Sequence, residues 1–209
     1  MNLIVFGDSI TYGLYDEQGG WAERLYKEIR GKAEVNDFIN LSRPGAASKQ
    51  IISKVKSAAR SGLLSRVRTL VIFAYGINDS AINLREQAQI TPIERFEENT
   101  IKIIEMINQN NADMVFVGPT IVDDPLAGSF KGRIMYSNDR IKKYDRSLKK
   151  ICAGYNVDFI ELYDECSKES KGFQKMLHDG VHPDENGHRF ILDVINKTDW
   201  FSGLIKPER

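Results

Sequence analysis

The sequence predicts an α/β fold: a three-layer α/β/α sandwich around a mainly parallel, five-stranded sheet. Two observations carry this expectation. Short apolar, β-branched runs alternate along the chain with longer amphipathic runs, the pattern of strand–helix–strand units. The residues just after the strand candidates are small or hydrogen-bonding, which suits loops that gather at one edge of a parallel sheet. With 209 residues, 29 Lys+Arg against 29 Asp+Glu and 42% hydrophobic residues, the chain reads as one core-bearing domain over residues 1–209.

The strand candidates are Leu3–Phe6, Val35–Leu41, Thr69–Ala74, Met114–Val117 and Val157–Glu161. The helix candidates are Trp21–Arg30, Ser48–Ser61, Pro92–Asn108, Asp139–Ala153 and Glu185–Ile195. For the third helix, Thr91 is the expected N-cap, with Pro92 at the first position and Glu94 completing a capping box. Ile93, Phe96, Ile101, Ile104 and Ile107 then recur at helical spacing. Two connections, Ile77 to Thr91 and Pro119 to about Asn138, are long for a compact domain. Their apolar residues (Ile82, Leu84 and Ile90; Leu126, Phe130, Met135 and Tyr136) either tuck onto the core or line a pocket.

Composition excludes several functions. A formal net charge of zero without a basic block argues against nucleic-acid binding. The apolar run that opens the chain ends at Gly7-Asp8, short of the roughly 7–15 residues of a signal-peptide core and the roughly 20 of a membrane span. The expected setting is therefore cytoplasmic, without stable membrane insertion. Cys152 and Cys166 have neither C-x-x-C spacing nor a histidine at ligand spacing, and read as two buried thiols in a reducing compartment. No metal site or cofactor motif is expected: neither Gly-x-Gly-x-x-Gly nor a Gly-Lys-Ser/Thr loop occurs.

The strand ends carry the chemistry. After the first strand comes Gly7-Asp8-Ser9, after the second Ser42-Arg43-Pro44-Gly45, after the third Gly76-Ile77-Asn78-Asp79, and after the fourth Gly118-Pro119. Near the C-terminus, Asp179 and His182 stand three apart on a loop stiffened by Pro183. At that spacing a carboxylate can orient an imidazole locally, and a serine hydroxyl would complete a nucleophile, base and orienting acid. A second reading treats Gly7–Gly13 as a phosphate cradle in a non-catalytic, flavodoxin-like module for a phosphate or nucleotide, which leaves Asn78, Asp179 and His182 without a purpose. An α/β-hydrolase elbow is excluded, since no Gly-x-Ser-x-Gly occurs. Asp8 and Asp79 read as turn carboxylates that hold their loops, His178 as a loop histidine, and His188 as an exposed or capping residue of the last helix.

In family order, Gly7-Asp8-Ser9-Ile10, Gly45, Gly76-Ile77-Asn78-Asp79 and Asp179-Gly180-Val181-His182 resemble the blocks of the SGNH (GDSL-type) hydrolases. Ile10 replaces the family's leucine at a position expected to pack. The resemblance implies a flavodoxin-like sheet order and a serine hydrolase that cleaves carboxylic esters through an acyl-Ser9 intermediate. It implies Ser9 as nucleophile, His182 as general base and Asp179 as its orienting acid. The oxyanion hole falls to the Ser9 and Gly45 backbone N–H groups and the Asn78 side chain. The implied partner is a small-molecule ester: an acyl ester, an acetylated sugar, a lysophospholipid or a thioester.

Overall fold

The computed structural model describes residues 1–31, 35–65 and 67–204. Its central sheet consists of β1 (Asn2–Gly7), β2 (Asp37–Asn40), β3 (Thr69–Ala74), β4 (Asp113–Val117) and β5 (Asp158–Ile160). The strands are all parallel, in the order β2-β1-β3-β4-β5. The five strand candidates therefore all appear, Thr69–Ala74 with the same bounds and the others within two residues at each end. The edge strands β2 and β5 are the shortest because each has a neighbour on one side only.

The main helices are α1 (Gly20–Ile29), α2 (Ser48–Arg60), α3 (Ile93–Gln109), α4 (Asn138–Gly154) and α5 (Glu185–Asn196). Alternation along the strands divides the core in two. Leu3 and Val5 of β1 join Trp21 and Leu25 of α1 and Ile191 and Ile195 of α5 on one face. Ile4 and Phe6 join Ile51 of α2, Ile103 of α3 and Leu148 of α4 on the other. A strand buried on both faces has few polar positions, so β1 and β3 read as apolar runs after their first residues, Asn2 and Thr69. Cys152 and Cys166 are free, buried and in opposite layers, and burial pushes the Cys152 thiol up to about 12. Among the described residues no helix is long and apolar enough to cross a membrane.

One capping expectation fails. Pro92, not Thr91, occupies the N-cap of α3. The Thr91 hydroxyl is committed to Asp79, its N–H bonds the Asp79 carbonyl at 3.3 Å, and its own carbonyl accepts from the Tyr144 hydroxyl. Tertiary partners have drawn off the group that a local reading assigns to the helix end.

The two long connections are built against each other. Ile82–Asn83 pairs antiparallel with Ala88–Gln89 on one side and with Ile134–Met135 on the other, making a second, three-stranded sheet from both loops. Two-residue strands carry no periodicity, so pattern reading passes over them.

Asp145 on α4 is buried, and its Oδ1 has no hydrogen-bond partner among the described residues. It stands 2.6 Å from where a Cβ on Gly118 would lie. Burial, reinforced by the charges of Asp164 and Glu161, lifts its pKa to about 7. The native state thus keeps a proton that the unfolded chain releases between about pH 4 and 7, and this group lowers stability as pH rises through that window. Asp145→Asn is expected to raise Tm at pH 8 and to change it much less at pH 5. Equal shifts at both pH values would show that the carboxyl is not protonated in the fold.

Candidate active site

β1 delivers Gly7 to the carboxyl edge of the sheet, where the chain turns at Asp8 into a single helical turn, Ser9–Tyr12, closed by left-handed Gly13. The Asp8 carboxylate accepts the Ile10 N–H at 3.0 Å, the loop-holding role expected of it. Burial raises its pKa to about 7, with the Asp79 charge adding to the rise and the Ile10 and Thr11 N–H groups opposing it. Ile10 packs into the core, as its place in the motif requires.

The second component comes from the other end of the chain. A bridge between Leu177 and Pro183, with the His178 N–H on the His182 carbonyl at 2.8 Å, pinches residues 178–182 into a tight loop. Inside it, Asp179 Oδ1 accepts the Val181 and His182 N–H groups at 3.1 and 2.9 Å. The His182 ring places Nδ1 at 3.0 and 2.9 Å from the two Asp179 oxygens. Partial burial works to raise the Asp179 pKa, but the hydrogen bonds and charge of His182 and the Val181 N–H hold it below its ordinary value. An ionised Asp179 keeps the proton on Nδ1 and leaves Nε2 as an acceptor. Nε2 lies 2.9 Å from Ser9 Oγ. Hydroxyl, imidazole and carboxylate therefore form one unbroken hydrogen-bonded series, capable of moving a proton off the serine.

Gly45 and Asn78 lie on neighbouring loops of the same edge. Gly45 has φ +75, and the space a Cβ would take there is open, so its backbone is accessible to a ligand. The Asn78 amide donates to the Ala46 carbonyl at 3.0 Å and accepts from the Tyr136 hydroxyl at 3.0 Å. Asp79 binds back to α2: Ser48 donates its N–H at 3.0 and 2.9 Å and its hydroxyl at 2.6 Å. That is the loop-holding role expected of Asp79, here performed between loops. Among the described residues no group of His, Cys, Asp and Glu could hold a metal ion.

His188 departs from expectation. It is fully buried: its Nδ1 faces the Trp21 N–H at 3.3 Å and its Nε2 the Leu14 carbonyl at 3.2 Å. It pins α5 to the segment that follows Ser9, and burial lowers its pKa. His178 stays outside the hydrogen-bonded series, stacked on Tyr15 with ring centroids 4.0 Å apart. Sequence reading passed over Tyr15 altogether. Its ring lies edge-on to His182 at 5.8 Å, across from Phe130 at 5.7 Å. Tyr15 has φ 65, a conformation that sequence marks only when glycine or asparagine occupies it.

Gly180, between the acid and the imidazole, has φ +85, and a Cβ there would come 2.6 Å from Leu126 Cβ. Its carbonyl also accepts the Asp123 N–H at 2.8 Å, tying the loop to the Asp123–Ala127 turn. Gly180→Ala is expected to cost about 1–3 kcal/mol of stability, read from the urea midpoint. Adding Leu126→Gly should recover only the part due to the clash. An unchanged midpoint in the single variant would show that the loop is free to reshape.

Comparison with known proteins agrees with this geometry. The model of the GDSL-like Lipase/Acylhydrolase family matches residues 5–190. The chain is 24% identical over 202 residues to the isoamyl acetate-hydrolyzing esterase 1 homolog of Bos taurus, covering 91% of this chain and 78% of that protein. Among solved structures, the lipase/acylhydrolase from Enterococcus faecalis superposes with a TM-score of 0.74 at 22% identity, over 100% of this chain and 98% of that one. A lipolytic G-D-S-L family member from Veillonella parvula DSM 2008 gives a TM-score of 0.73 at 22% identity, over 96% and 98%. These likenesses support the three-layer fold. With the family model spanning both the Ser9 motif and the Asp179–His182 loop, the chain belongs to the GDSL-like lipase/acylhydrolase family and is a carboxylic ester hydrolase.

Proposed function

We propose that the protein hydrolyses small-acyl carboxylic esters through an acyl-Ser9 intermediate. The observation that carries this reading is the series Ser9 Oγ–His182 Nε2 at 2.9 Å and His182 Nδ1–Asp179 at 2.9 Å. Ser9 Oγ attacks the ester carbonyl carbon as its proton passes to Nε2, and the carbonyl oxygen becomes an oxyanion. The tetrahedral intermediate collapses, the C–O bond to the alcohol breaks, and the alkoxide leaves with the proton from Nε2. A water then gives its proton to the same nitrogen, attacks the acyl carbon, and releases the acid with Ser9 restored. Asp179 stabilises the imidazolium in both halves. The backbone N–H groups of Ser9 and Gly45 and the Asn78 amide hold the oxyanion. No cofactor enters any step.

One feature favours a small acyl group. The bovine relative's name specifies an acetate ester. Tyr15 and Leu126, 40% and 61% exposed, offer apolar surface near His182 for the alcohol portion. A phosphate-binding module is disfavoured, since Ser9 is engaged by His182 and the carboxylates of Asp8 and Asp179 flank it.

p-Nitrophenyl esters from acetate to palmitate, assayed on the wild type and on Ser9→Ala, test the reading. Turnover is expected to peak at C2–C4 and to vanish in the variant. A maximum at C8 or longer would overturn the small-acyl assignment and point to lipids or thioesters. His182→Ala is expected to lose about 10³-fold or more in kcat, as the members of such a triad act as a unit. Wild-type-like turnover in either variant would end the mechanism.

A further inference from the structure

The Asn78 side chain presents a problem that the triad does not solve. A primary amide has a donor end and an acceptor end of nearly the same shape, and only the donor end can stabilise a developing oxyanion. Two contacts distinguish the ends here. The Ala46 carbonyl, which can only accept, takes one N–H from Nδ2 at 3.0 Å. The Tyr136 hydroxyl donates to Oδ1 at 3.0 Å. Rotating the amide by half a turn would press Oδ1 against the Ala46 carbonyl oxygen, two acceptors at contact distance. With both bonds made, the second N–H of Nδ2 is left for a ligand.

Tyr136 is itself held for this task. It is buried, its N–H bonds the Ala127 carbonyl at 3.0 Å, and its ring meets Phe130 edge-on at 5.8 Å. It directly follows the strand Ile134–Met135, which pairs with Ile82–Asn83 just beyond Asn78 in the chain. The second sheet thus clamps the tyrosine to the loop that carries the amide. Burial pushes the phenol pKa well above its ordinary value, and the charges of Asp8 and Asp179 push it the same way, so it remains a donor at any assay pH.

We propose that Tyr136 is a positioning residue for the oxyanion hole: its hydroxyl fixes the orientation of the Asn78 amide and polarises it, so that the free N–H faces the reacting carbonyl oxygen. A donor on Oδ1 draws electron density from the amide nitrogen and strengthens the bond that the other N–H makes to a negative oxygen. That benefit is greatest when the charge has developed, so the effect belongs to kcat rather than KM.

This inference rests on the acyl-Ser9 reading, and a double-mutant cycle on p-nitrophenyl acetate tests it. Tyr136→Phe keeps the ring and removes only the hydroxyl. It is expected to lower kcat by about tenfold with KM and the shape of the pH profile unchanged. Asn78→Ala, by itself about 10²–10³-fold down in kcat, should lose nothing more when Tyr136→Phe is added. The Ki of phenylboronic acid, which forms a tetrahedral adduct with a nucleophilic serine, should rise in Tyr136→Phe in step with the fall in kcat/KM. This second readout is taken below the melting temperatures of both proteins. Wild-type kcat in Tyr136→Phe, the same fractional loss in both backgrounds, or a rise in KM alone would each overturn the role of Tyr136. If Ser9→Ala is inactive in the same assay, those results remove only this inference. If Ser9→Ala retains turnover, the reading beneath it falls as well.

Discussion

A site assembled from loops on separate strands works only if the loops are held in register, and in this fold one buried carboxylate does that. Asp79 is wholly shielded from solvent, yet it collects the N–H and hydroxyl of Ser48 and the hydroxyl of Thr91. Ser48 begins the helix after the Gly45 loop, and Thr91 ends the connection that starts at Asn78. Asn99 on α3 completes the arrangement by donating to the Ser48 hydroxyl at 2.9 Å. Burying a carboxylate is unfavourable unless hydrogen bonds replace its water, so each of these contacts is needed by the others. Their loss would release the Gly45 and Asn78 loops together.

The same economy recurs along the carboxyl edge of the sheet. Asp8 is buried under the Ser9 turn and holds the Ile10 N–H. Asp16 behind that turn takes two bonds from Arg24 of α1 at 2.7 and 3.0 Å. His188 reaches the intervening segment from α5. Apolar packing holds the two layers on the sheet, but it is non-directional and cannot place a hydroxyl to within a few tenths of an ångström of an imidazole. Directional bonds to buried polar groups supply that precision, and Asp8, Asp16, Asn78, Asp79 and His188 are all buried at the end of the sheet that carries Ser9.

Much of this was legible in the sequence, for a physical reason. Parallel strands buried on both faces write themselves as apolar runs, and every loop after such a strand emerges at one edge. Ser9, Gly45 and Asn78 therefore declare a common location before any coordinates are seen. Asp179 and His182 are legible because their interaction is local, three residues apart on one loop. What escaped has the opposite character. Tyr136 and His188 act through partners 58 and 174 residues away, and nothing near them in the chain marks those partners. Thr91 shows the same limit in reverse, since its local capping signal was overridden by Asp79. The three-stranded sheet was invisible because its strands are too short to carry a pattern, leaving the role of the long connections open between core and pocket.

The hydroxyl and imidazole that meet at 2.9 Å stand 173 residues apart, with four of the five strands of the central sheet, β2 to β5, encoded between them. On a ribosome, Ser9 and its turn emerge first, and Asp179 and His182 emerge only after every strand of the sheet. The His182 imidazole arrives with the final loop, and α5 must then dock on α1, where His188 fastens it beside Leu14 and Trp21. A nascent or truncated chain lacking that last segment carries the Ser9 hydroxyl without the imidazole that it meets in the complete fold. The hydrogen-bonded series of Ser9, His182 and Asp179 thus closes only after every strand of the sheet has been synthesised, and the order of residues in the chain sets when it is completed.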